Sequence, residues 1–96
     1  MKSREPKRIG SAIAATLGQL GLEMKVKQYE VLEIWAEIVG EQIARVAIPE
    51  RITDGKLYVS VSRSTWRNEL LFLKKELIAK LNHAMNQDIV KDIIFR

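Results

Sequence analysis

A small α+β sandwich is the fold class this sequence predicts, with elements in the order α-α-β-β-α-β and helices covering one face of a three-stranded sheet. Three observations carry that expectation. Apolar residues recur at helical spacing over 9–20, 27–39 and 64–85. The period changes to two on either side of Asp54-Gly55, as it does around a hairpin turn. A last run, Ile89–Arg96, is rich in Ile, Val and Phe and supplies the third strand. Such a sheet must bury one apolar face, and amphipathic helices are the layer that covers it.

Taken in order, Pro6 closes a polar arm, and Ile9, Ile13, Leu17 and Leu20 then share one helical face. Gly18 and Gly21 are expected to end that helix, because glycine adopts the left-handed C-cap without a Cβ clash. A second helix is expected from about Lys27 to Val39. Val31, Leu32, Ile34, Trp35, Ile38 and Val39 fill its apolar sector, and Glu30, Glu33 and Glu37 gather opposite. Gly40 ends it, and Glu41–Val46 adds a short helical turn. Ile48 and Ile52 share a face of the first strand, with Pro49 near its start, where a missing amide donor is tolerated. Asp54-Gly55 suits a type I′ turn, which needs positive φ at both central positions. Leu57, Val59 and Val61 alternate with Tyr58, Ser60 and Ser62, so one face of the second strand is buried. Ser64 is a good N-cap for a helix running to about Met85 along the stripe Trp66, Leu70, Leu73, Leu77, Leu81 and Ala84. Asn86-Gln87-Asp88 breaks that helix before the closing strand.

At 96 residues the chain is one domain, with residues 1–8 read as a flexible basic arm and 9–96 as the folded unit. The chain has no cysteine, which removes disulfides and thiolate metal sites and fits a reducing cytoplasm. No apolar run approaches the roughly 18 residues of a membrane span, and the N-terminus has no signal-peptide core. A cytoplasmic protein without membrane contact is expected. The net charge of +4 is unevenly placed. Lys2, Arg4, Lys7 and Arg8 face only Glu5 in the arm. Arg63, Arg67, Lys74, Lys75 and Lys80 outweigh Glu69 and Glu76 on the helix that opens at Ser64, whereas residues 9–62 carry an acidic excess. Such asymmetry points toward an anionic partner, although a charge run also serves as a solvated face.

Catalysis has little support. His83 is the only histidine, with no His/Asp/Glu cluster near it in sequence, whereas a metal site needs converging ligands and a nucleophile needs an oriented base. No metal, cofactor or small-molecule substrate is expected. Gly18-Gln19-Leu20-Gly21 matches the GxxG loop with which K-homology domains clamp a nucleic-acid backbone. Leu20 completes an apolar stripe, however, so ending a helix is the better explanation. Trp35 and Trp66 would suit base stacking, yet each lies inside the apolar sector of its helix and reads as a core anchor. The flank beside that sector is more informative, since Leu71 and Ile78 fall between Arg63, Arg67, Lys74 and Lys75, with Phe72 further round. A flank facing only water has no use for those apolar groups, so either the neighbouring helices reach that far or the patch meets a partner. Charge mixed with apolar surface binds phosphates by one route and protein by the other.

The run "WAEIVGEQIARVAIPERITDGKLYVSVSRSTWRNELLFLKKELIAKLN", closed by "IVKDIIFR", resembles the bacterial domain of unknown function 721, associated with DciA-type operators of the replicative helicase. Its landmarks are Trp35, Ile38-Val39-Gly40, Pro49, Gly55-Lys56-Leu57, Val59, Val61, Trp66, Glu69-Leu70, Leu81-Asn82 and Ile94-Phe95-Arg96, spread in order over most of the chain. The resemblance implies a K-homology-like domain, in a short form, that lacks the true clamping GxxG loop. It also implies engagement of the hexameric replicative helicase, assistance in loading it, and weak DNA binding. Longer members carry an extension beyond this domain that contributes to those contacts. Here the basic arm before Ile9 is a candidate substitute.

Together these readings predict a non-catalytic adaptor that assists the replicative helicase and touches single-stranded DNA electrostatically. Arg63, Arg67, Lys74 and Lys75, with Lys2, Arg4, Lys7 and Arg8, are the candidate phosphate contacts. Leu71, Phe72 and Ile78 are the candidate protein contacts. An RNA-binding module unrelated to replication is the alternative, and a structural domain kept soluble by its basic helix is a third reading.

Overall fold

The computed structural model describes the backbone of residues 6–96 and the side chains of residues 21–96. Its elements are α1 (Pro6–Val39), α2 (Glu41–Val46), β1 (Ala47–Thr53), β2 (Lys56–Val61), α3 (Ser64–Met85) and β3 (Asp92–Phe95). The sheet order is β1-β2-β3. β1 and β2 form an antiparallel hairpin, and β3 lies parallel to β2. Parallel neighbours need a crossover, and α3 provides it.

The fold is the α+β domain expected, in the expected order, but its first helix differs. Gly18 and Gly21 do not end a helix: α1 runs through both as one 34-residue element to Val39. A glycine inside a helix costs only about 1 kcal/mol relative to alanine, and Leu22–Val26 offers no proline or turn cluster to stop propagation. The second helical place is taken by α2, the short turn read at Glu41–Val46. Gly40 does separate the two, at φ +95. The side chains of Lys2, Arg4, Lys7 and Arg8, and of the stripe Ile9, Ile13, Leu17 and Leu20, lie outside the described residues.

One core joins the sheet to its helices. Leu57, Val59 and Val61 of β2 and Ile93 and Phe95 of β3 are buried against Val31 and Trp35 of α1 and Leu70, Leu77 and Leu81 of α3. Trp66 and Leu73 pack on the margin of that core, half-buried. Ala84, expected to complete the stripe, is exposed; the last fully buried residue of α3 is Leu81, and Met85 rather than Ala84 continues the packing against the core. Trp35 is 1% exposed, and its indole Nε1 donates to the Ala47 carbonyl at 2.9 Å, which ties α1 to the start of β1.

The hairpin turn is of type I′, with Asp54 at φ 51 and Gly55 at φ 80. The Gly55 carbonyl accepts from the amides of Lys91 and Asp92 at 2.7 and 3.2 Å, so the turn also fixes where β3 begins. A Cβ on Gly55 would stand 2.5 Å from Lys91 Cγ. Gly55→Ala therefore combines a left-handed backbone with a clash and should destabilise the domain by roughly 1–3 kcal/mol. Urea unfolding of the variant measures this directly, and an unchanged midpoint would contradict the geometry.

Two further boundaries depart from expectation. Arg63, not Ser64, is the N-cap residue of α3, and no side-chain hydrogen bond caps the helix. The closing strand is shorter than Ile89–Arg96, because the backbone before Asp92 is held by a side chain. Asn82 accepts from the amides of Ile89 (3.1 Å) and Val90 (2.8 Å) through Oδ1 and donates to the Val90 carbonyl through Nδ2 (2.9 Å). α3 ends at Asn86 in the left-handed region, φ 57, and the Gln87 amide donates back to the Asn82 carbonyl at 3.1 Å. In β1 the register slips between Pro49 and Arg51, leaving Glu50 as the extra residue of a bulge.

Candidate nucleic-acid and partner interface

α3 carries every candidate contact whose side chain is described, apart from Arg63 at its cap. Its apolar stripe faces the sheet, and the flank beside it divides into three kinds of position. Lys74 sits above β3 and pairs with Asp92 at 3.0 Å. That hydrogen bond, more than any other influence, holds the Asp92 carboxyl below its usual range. A charge already matched in this way attracts a phosphate less. Arg67 is half-buried, and its Nε is shut away from solvent with no partner among the described residues. Arg63 and Lys75 are exposed, and neither forms an ion pair among the described residues.

The apolar residues of the flank separate as well. Ile78 is half-buried and packs against the core. Leu71 is 52% exposed and Phe72 is 88% exposed. An aromatic ring so far in water returns almost none of its transfer free energy to the fold, and burial of such a side chain is worth about 1.5–3 kcal/mol when a partner supplies it. Lys75 lies one turn on from Leu71, so the two exposed apolar groups and this cation share one part of the helix surface. The folded domain thus brings Leu71, Phe72 and Lys75 together, and turns Lys74 and Ile78 toward β3 and the core.

Close by, α2 and α3 enclose an open groove of about 440 Å³ lined by Gln42, Ile43, Thr65, Trp66, Glu69 and Leu73. Trp66 is half-buried, lining this groove while it packs against the core. On α1, Leu22, Val26 and Tyr29 are exposed ahead of Val31, the first buried position among its described side chains.

His83 is exposed near the end of α3. Among the described residues no group of three or more His, Cys, Asp or Glu is placed to hold a metal ion, and no helix is long and apolar enough to cross a membrane.

The sheet carries a cluster that sequence reasoning passed over. On the face opposite the core, the Arg51 guanidinium lies 4.2 Å from the centroid of the Tyr58 ring and that of Arg96 lies 5.5 Å from it. Arg96 also pairs with Glu50 at 3.1 Å. Alternation had placed Tyr58 on the outer face, which was the available signal. Bringing Arg51 and Arg96 to it depends on the bulge and on the parallel register of β3, and neither is visible in the sequence.

Comparison with known proteins places this geometry in context. The family described as "Dna[CI] antecedent, DciA" matches residues 8–95. A UPF0232 protein of Rhodococcus jostii is 33% identical over 90 residues, covering 94% of this chain and 48% of that protein. A UPF0232 protein of Mycobacterium tuberculosis is 31% identical over 90 residues, with the same shares covered. One from Streptomyces avermitilis is 30% identical, covering 92% of this chain and 50% of its own length. The chain spans about half the length of these relatives.

Proposed function

The chain belongs to the DciA family, and on that premise we propose that it is a non-catalytic adaptor assisting the loading or operation of the bacterial replicative DNA helicase, with weak electrostatic binding of single-stranded DNA. The family match across residues 8–95 carries this reading. The surface of α3 supports it, because Leu71 and Phe72 offer apolar area that the fold leaves uncovered. Such a domain works by differential binding. It favours a helicase state competent to encircle DNA to the extent that it binds that state more tightly, and it needs no chemistry of its own.

Phe72 and Leu71 are the proposed protein contacts, with Ile78 supporting them from beneath. Arg63, Arg67 and Lys75 are the proposed phosphate contacts. Lys74 contributes less, because Asp92 holds it. If those three cations neutralise phosphates of a single strand, the slope of log K against log salt should be about −2.

Co-purification with the replicative helicase of the same organism tests the adaptor role. Phe72→Ala should weaken the complex at least tenfold, as truncation of an aromatic anchor does. Folding stability should stay within about 0.5 kcal/mol, because the ring is exposed. Failure of the wild-type chain to form a complex would sink the adaptor reading. A complex indifferent to Phe72→Ala and Leu71→Ala would spare the function and discard this face.

A further inference from the structure

The side of the sheet that carries Tyr58, opposite the core, has the make-up of a base-stacking surface. We propose that it binds single-stranded DNA by stacking bases on Tyr58 and its flanking guanidiniums, a second contact distinct from the α3 cations. The proposal deepens the nucleic-acid part of the function proposed above and rests on it.

The register builds the surface. Arg51 pairs with Tyr58 across β1 and β2, and Tyr58 pairs with Ile94 across β2 and β3. With strands about 4.8 Å apart, this row spans about 10 Å, the size of one or two bases. Beside it Ile48 is 54% exposed, although it stands in a strand with helices on its other side. Tyr58 and Ile94 are half-buried, Tyr58 with the two guanidiniums beside its ring. An aromatic ring and guanidinium planes are the two protein surfaces on which unpaired bases stack, and aliphatic neighbours suit the sugar edges.

Charge selects the occupant. The Glu50 carboxylate is engaged by Arg96, and that of Asp92 by Lys74. Arg51 has no ion pair among the described residues, and Lys56 shares with Lys74 the charge of Asp92, its neighbour across β2 and β3, so the face keeps a positive excess around an aromatic centre. A protein partner would find Ile48 and Ile94 useful, but it would gain little from cations that a phosphate chain satisfies directly. Arg51, now 4.2 Å from the ring, has two ways to contribute: its plane extends the stack, or it swings outward to a phosphate as the base takes its place.

The experiment compares a labelled oligomer of ten thymidines with an abasic oligomer of the same length, by fluorescence anisotropy at low salt. The abasic strand keeps the phosphates and removes what stacks. The wild-type chain should bind the thymidine strand roughly tenfold more tightly. Tyr58→Ala should reduce that preference to near one, and Tyr58→Phe should keep it. Equal affinity of the wild type for both strands overturns the stacking inference and leaves the electrostatic reading of α3 standing. Absence of binding to either strand overturns the inference together with the DNA contact, whereas helicase co-purification judges the adaptor role separately. If Tyr58→Ala instead weakens the helicase complex and leaves the base preference intact, the face belongs to protein and the proposal fails. The comparison of strands needs no variant, so misfolding of Tyr58→Ala would not shield it.

Discussion

Replacing Trp35 by alanine should lower the melting temperature by roughly 15–30 °C, the largest effect expected of any single substitution in the domain. Trp35 is 1% exposed and is among the largest side chains wholly buried in the core. Truncating a buried aromatic typically costs about 3–5 kcal/mol, because transfer free energy is lost and a cavity remains. The substitution also strips the Ala47 carbonyl of the indole donor at 2.9 Å, and an orphaned buried acceptor costs a further 1–3 kcal/mol or so. At 96 residues each kcal/mol moves the midpoint by about 4 °C, and total stability is commonly about 5–15 kcal/mol. Trp35→Phe separates the two contributions, since it keeps most of the volume and removes the donor. It should cost about 1–3 kcal/mol, and thermal unfolding followed by circular dichroism reads both variants. A Trp35→Ala midpoint within a few degrees of wild type would show that the indole does not anchor α1 to β1.

Asn82→Ala should cost about 2–4 kcal/mol, although Asn82 is neither apolar nor fully buried. Its amide makes three hydrogen bonds to the backbone of Ile89 and Val90, each worth about 1 kcal/mol net. Their loss leaves the Val90 amide and carbonyl without partners, and the Ile89 amide with the Gln87 carbonyl alone, where the chain passes from α3 to β3. Hydrogen exchange gives the more specific readout. The amides of Ile89 and Val90 should lose protection well before those of β2 do. Asn82→Asp keeps the acceptor and loses the donor, so it should fall between wild type and alanine. If Asn82→Ala unfolds at the wild-type urea midpoint, the side chain is not what holds this connection.

What the sequence disclosed follows from the range of the forces involved. Gly40, the Asp54-Gly55 turn and the alternation of Leu57, Val59 and Val61 are local features, and each stands where expected. Trp35 was legible as an anchor because its helical phase alone places it among apolar neighbours. The continuation of α1 through Gly18 and Gly21 was not legible, because local propensity makes those glycines a stop and the cost of passing them is small. The Lys74–Asp92 pair and the Tyr58 cluster were hidden for another reason. Arg96 reaches Tyr58 through the parallel register of β3, Arg51 reaches it past the bulge in β1, and Lys74 reaches Asp92 through the packing of α3 on the sheet, none of which periodicity encodes. On α3, charge drew equal notice to Arg67, Lys74 and Lys75, and burial together with the Lys74–Asp92 pair divides them. Phe72 stood out only as an apolar residue outside the stripe, and its 88% exposure gives that oddity a measure.

The bulge at Glu50 has a bearing on how any partner is recognised. A protein that docks by extending a sheet needs an unbroken row of amides and carbonyls along an edge, and its affinity then comes largely from main chain. In β1, Pro49 contributes no N–H, and Glu50 next to it throws the strand out of register. The other edge, β3, is four residues long. Under the function proposed above, recognition then falls to side chains on α3 and on the open side of the sheet. Contacts of that kind change one residue at a time, so a choice of partner can shift while the backbone beneath stays as it is.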